Sequence, residues 1–114
     1  MDDDVIKVDK NNCEKVAQKI LDCLVGTIFV VASFYHTGTE RPEHPRVLTH
    51  MVLFGGYVFR DGCLTIKFVP NRRLFWDLNE EKVTVRFSDE DDSIIVERLL
   101  PSGKIIYRVI MVLC

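Results

Sequence analysis

The sequence predicts an α+β fold: an N-terminal amphipathic helix packed on a curved, mostly antiparallel meander sheet of about six strands, or on a partly closed barrel of those strands. Three observations carry this. Apolar residues recur at the helical period between residues 13 and 25. From Ile28 onward the chain is rich in β-branched and aromatic residues, punctuated by turn signals. Strands and helices do not alternate, which argues against a parallel α/β architecture. With 114 residues, 47% apolar and 28% charged, the chain has the length and composition of one globular domain.

Residues 1–10 open with Asp2, Asp3 and Asp4 and read as a flexible acidic tail, leaving 11–114 as the domain. Asn11 is placed to cap a helix, with Glu14 three residues on to reach back. The stripe Cys13, Val16, Ala17, Ile20, Leu21, Leu24 and Val25 follows, with Glu14, Lys15, Gln18, Lys19 and Asp22 opposite. Lys15 and Lys19 form an unfavourable pair, so packing rather than surface charge must hold this helix. Gly26 stands at its C-cap.

Ile28 to Tyr35 reads as a strand, followed by a polar loop with two prolines. Asp61-Gly62 is the strongest hairpin signal. A two-residue loop there pairs Arg60 with Cys63, Phe59 with Leu64, Tyr57 with Ile66 and Gly55 with Phe68. Gly55-Gly56 reads either as a second turn or as a bulge in one long strand. Val83, Val85 and Phe87 alternate with Lys82, Thr84 and Arg86, the pattern of a half-exposed strand. The final hairpin has two registers. A Ser102-Gly103 loop sets Glu97 opposite Arg108, whereas a loop from Pro101 to Gly103 sets it opposite Tyr107. The first is favoured by about 0.5 kcal/mol for the charge pair.

One run concentrates charge and rings: Phe68 to Val83, with Arg72, Arg73, Phe75 and the sole Trp, Trp76. As a strand it sets Arg72, Leu74 and Trp76 on one face, with Arg73, Phe75 and Asp77 on the other. One reading puts one ring in the core and the other over a neighbouring strand, with the arginines guarding an edge. The other makes Lys67, Arg72, Arg73, Phe75, Trp76 and Arg86 a binding surface, for a protein or for single-stranded nucleic acid. Lys67, Arg73 and Arg86 share a face if their strands align.

Several classes are disfavoured. A formal charge of −2 gives no general affinity for polyanions. No apolar run is long enough for a membrane span, and the acidic start is neither a secretory nor a transit signal. The four cysteines are therefore expected as free thiols in a reducing compartment, cytoplasmic or nuclear. His36 and His44 with Glu40 and Glu43 lack the close ligand pairs of a zinc site. Ser33, Cys63 and His50 carry no catalytic spacing, and Asp89 to Asp92 read as a solvated turn. No cofactor, metal or enzymatic activity is expected.

Both faces of the last hairpin carry aliphatics, more than one helix can cover. The sequence thus favours a non-enzymatic protein-interaction module, homodimeric through Ile106, Ile110 and Val112. A single-stranded RNA binder and a carrier of a small apolar ligand within a concave sheet are the alternatives.

Overall fold

The computed structural model describes residues 5–36, 46–99 and 105–113, apart from the side chains of residues 35, 36, 46, 47 and 106. In chain order the elements are β1 (Val5–Val8), α1 (Cys13–Val25), β2 (Val30–His36), β3 (Arg46–Arg60), β4 (Cys63–Val69), β5 (Arg72–Asp77), β6 (Lys82–Ser88), β7 (Ser93–Leu99) and β8 (Ile105–Leu113). The strands form one antiparallel sheet in the order β1-β6-β7-β8-β2-β3-β4-β5. Two meanders, β2 to β5 and β6 to β8, are joined where β8 returns beside β2.

The sheet is larger than the expected six strands, and it does not close into a barrel, since β1 and β5 stand at its two ends. The helix is not the first element either. Val5–Val8, expected within a flexible tail, pair with β6 from Val5 opposite Arg86 to Val8 opposite Val83. Ile6 and Val8 pack on the core while Val5 and Lys7 are exposed. Four alternating residues behind three aspartates are too few to stand out as a strand; the ladder with β6 is what orders them.

The helix begins one residue later than its sequence signal. The Asp9 carboxylate accepts the backbone N–H groups of Asn11 (2.8 Å) and Asn12 (2.9 Å), and Asn12 Oδ1 accepts the Asp9 N–H (2.8 Å). Asn12 is the N-cap, and its side chain makes no bond to the first turn. Gly26 is the C-cap, with φ −86°. Thr27 satisfies the last carbonyls, its N–H donating to Leu24 O (3.1 Å) and its hydroxyl to Cys23 O (2.6 Å).

Val16, Ala17, Ile20, Leu21 and Leu24 of α1 enter a single core to which every strand contributes, among them Val8, Val30, Val52, Leu64, Leu74, Val85, Val96 and Val109. Each fully buried aliphatic of this kind stabilises by about 1.5–3 kcal/mol. Ile20, Leu24, Ile66, Trp76 and Met111 are among its fully buried side chains.

Strand β3 serves two ladders, with β2 up to Val52 and with β4 from Leu53 onward. Gly55 is the extra residue of a bulge between them: Phe54 lies opposite Phe68, and Gly56 opposite Lys67. This settles the Gly55-Gly56 alternative in favour of one bent strand. It also replaces the expected Gly55–Phe68 pairing with Phe54–Phe68. The reasons are steric. A Cβ on Gly55 would stand 3.0 Å from Val69 Cγ2, and Gly56 has φ +130°. The Asp61-Gly62 turn has positive φ at both residues (48° and 82°), and the register beside it is as expected.

Glu97 faces Arg108 and Val96 faces Val109, the register that a Ser102-Gly103 loop implies. An irregularity between Arg98 and Leu99 then brings Leu99 opposite Ile105. The connecting loop lies outside the described residues. So do Glu40, Glu43 and His44 and the His36 side chain. Among the described residues no helix is long and apolar enough to cross a membrane.

Candidate functional site

Strand β5 follows the Pro70-Asn71 turn, which the Val69–Pro70 peptide enters in the cis form, and it is an edge strand. Leu74 and Trp76 point inward and are completely buried, while Arg73 and Phe75 are exposed. Trp76 is therefore a core residue, which corrects its assignment to a binding surface. Phe75 covers a neighbouring chain segment. The Arg98 guanidinium lies 4.4 Å from its ring centre and 4.9 Å from that of Tyr107. Arg98 Nε donates to Glu81 Oε1 at 2.6 Å, and the same oxygen accepts the Asp77 N–H at 3.0 Å. Tyr107 Oη donates to Arg73 O at 3.3 Å.

Side chains from β7, β8 and the β5–β6 connection thus seal the outer edge of β5. They take up two of its backbone groups where a further strand would otherwise have paired. Burial pushes the Tyr107 phenol up to about 12, against the opposing pull of Arg98 and Arg73. Sequence reasoning missed this cluster because nothing local joins Phe75, Glu81, Arg98 and Tyr107; the curl of the sheet brings them together.

The basic residues separate into two groups. Lys67 and Arg73 are register partners on β4 and β5, and both are exposed. Beside them, Arg72 Nη2 lies 2.9 Å from His50 Nε2. A guanidinium has no acceptor, so His50 accepts here and carries its proton on Nδ1. Arg72 Nε is buried and has no partner among the described residues. Arg86 is elsewhere. It sits on β6 between Val5 and Ile95, in a depression of about 260 Å³ that Glu97, Arg108 and Ile110 also line. The expected alignment of Arg86 with Lys67 and Arg73 does not occur, because β6 and β4 belong to different meanders.

That depression opens on the outer face of the sheet, opposite α1. Registers place Ile95 beside Ile110, and Val112 beside Val31, which in turn faces Met51. Val112 is 37% exposed, Met51 67% and Leu53 50%. Polar groups interrupt these rows: the Ser33–Thr49 hydroxyl pair (3.1 Å) and the Arg108–Glu97 ion pair (2.6 Å). None of the described elements covers this face. Ile110 and Val112 lie on it as the interface expectation requires, while the Ile106 side chain is outside the described residues.

The nominal nucleophiles and base are kept apart. Ser33 points outward to Thr49, whereas His50 lies on the inner side, against Phe34 and Arg72. Cys63 stands opposite Asp77 at the far end of β4. Burial, reinforced by Asp77, raises the Cys63 thiol. The Asn79 backbone N–H, above all, lowers the Asp77 carboxyl. Among the described residues no group of three or more His, Cys, Asp or Glu is arranged to hold a metal ion. The Asp89–Asp92 run forms the β6–β7 turn, where Asp92 O accepts the Leu113 N–H at 2.8 Å.

The fold defines a class: a curled, open antiparallel sheet with one helix packed on its concave side. The chain is similar in this to the protein in "Crystal Structure of Bacillus subtilis YojF protein", with a TM-score of 0.63 over 96% of this chain and 94% of that one. Identity is 11%, so the likeness concerns the fold alone. No family model matches the chain, and no curated protein matches it significantly.

Proposed function

We propose that the protein is a small non-enzymatic interaction module that works as a homodimer through the outer face of β6, β7, β8, β2 and β3. The carrying observation is the pair of apolar rows, Ile95–Ile110 and Val112–Val31–Met51, on a face that no described element covers. A second copy is the occupant that suits it. On this face Glu97 and Arg108 already neutralise each other in an ion pair, so two copies can bring their apolar rows together across a two-fold axis without setting those charges against their like. Free thiols at Cys13, Cys23 and Cys63 suit a reducing, intracellular setting.

Light scattering over a range of concentrations tests this reading. The expected result is twice the monomer mass for the natural chain, and a folded monomer with unchanged circular dichroism for Ile110→Asp. A natural chain that remains monomeric throughout, or an Ile110→Asp chain that remains dimeric, overturns it. Single-stranded RNA binding draws less support: with Trp76 in the core and Phe75 beneath Arg98, the two rings on which bases would stack are already in use.

A further inference from the structure

We infer that the β4–β5 turn carries a binding site for a small phosphate ester, separate from the dimer face. Two depressions, of about 600 and 280 Å³, meet at Asn71, Arg72 and Arg73. Lys67 joins them in the larger; Phe34, Leu48 and Tyr107 line the smaller. Three cationic residues line these depressions in a chain whose formal charge is −2, and among the described residues no carboxylate lines either one. The ion pairs found among the described residues engage Arg98 and Arg108, not these three. A phosphate ester carries about −1.5 to −2 at neutral pH, which matches such a cluster.

Arg72 is held in advance. Its Nη2 contact with His50 fixes the guanidinium plane, so little freedom is lost when an anion docks. Its Nε remains a buried donor without an acceptor among the described residues, and a phosphoryl oxygen is the kind of acceptor it lacks. The smaller depression offers an apolar seat at Phe34 and Leu48 for the organic part, and the larger offers the cations for the phosphate. The larger depression, at about 600 Å³, has the volume of a small-ligand site. A nucleic-acid strand fits less well, since Trp76 is buried in the core and Phe75 already carries Arg98 against its ring.

Titration calorimetry of the full chain with pyrophosphate and with ADP, at low and moderate salt, tests the site, with amide chemical shifts to map it. Saturable binding is expected, weaker at higher salt. Lys67→Gln with Arg73→Gln should weaken it at least tenfold; both side chains are exposed, so the fold is kept. Arg72→Met should weaken it further. Shifts should concentrate at residues 67–73, Phe34 and Leu48. Ile110→Asp should bind unchanged, because the two sites share no residue. Absence of saturation, equal affinity in the Lys67/Arg73 variant, or a single-stranded oligonucleotide binding more than a hundredfold tighter than ADP would each overturn the proposal.

Discussion

Arg98→Met should be among the most damaging single substitutions outside the apolar core. The Arg98 side chain is 16% exposed and that of Glu81 is 7% exposed, so removing the guanidinium leaves a carboxylate nearly out of water without its counter-charge. Breaking such a pair from one side costs about 3–5 kcal/mol. Two ring contacts, to Phe75 and Tyr107, are lost with it. A loss of about 4 kcal/mol is a large part of the roughly 5–15 kcal/mol that holds a domain folded. Glu81 separates the contributions. Glu81→Gln keeps an acceptor for the Asp77 N–H, whereas Glu81→Leu removes it, and the two should differ by about 1–3 kcal/mol. The double variant Arg98→Met/Glu81→Leu leaves no stranded charge, so it should cost less than the sum of its parts by about 2 kcal/mol or more. Urea unfolding followed by circular dichroism measures all four. Additive losses below about 1 kcal/mol each would refute the view that this cluster seals the β5 edge.

Three further outcomes follow from single features. Tyr107 is pushed up to about 12 by burial, so its phenol is neutral in both folded and unfolded chains below pH 10. Above that the unfolded chain ionises first, and stability should fall as pH rises from about 10 through 12; Tyr107→Phe should abolish this component of the urea-midpoint profile, and a Tyr107 that titrates near 10 would contradict its burial. Gly56→Ala meets φ +130° at the bulge and should destabilise by more than about 1 kcal/mol. Gly26→Ala, at φ −86° in open space, should instead stabilise by about 0.4–1 kcal/mol, and thermal unfolding of the pair separates the two cases.

What the sequence disclosed was local. Asp61-Gly62 specified a turn with two positive φ angles, and with it the register from Arg60–Cys63 to Tyr57–Ile66. The charge pair Glu97–Arg108 selected the register of the last hairpin. Alternation along Arg72 to Asp77 separated inward from outward residues, and left open which of Phe75 and Trp76 was buried until the sheet's curl was known. What stayed hidden depended on distant segments. Val5–Val8 is a strand because β6 receives it, and Arg86 parts from Lys67 because the two meanders occupy different regions of the sheet. The phosphate cleft needed Phe34 and Leu48 from the first meander, and Tyr107 from the last strand, to meet the Asn71-Arg72-Arg73 turn.

The pairing of β2 with β8 bears on how the chain is made. Val30 lies opposite Leu113, so β2 waits while roughly eighty residues are synthesised, which takes several seconds at about 5–20 residues per second. The β2–β5 hairpins can form early from near neighbours. Their β2 edge, with Val30, Val31 and Phe34, then emerges from the ribosome unpaired and stays open to any passing strand until β8 arrives. Slow release of the final strand would lengthen that exposure, and faster elongation through β6 to β8 would shorten it. The yield of soluble protein should therefore depend on translation speed over residues 82–113 more than over any earlier stretch.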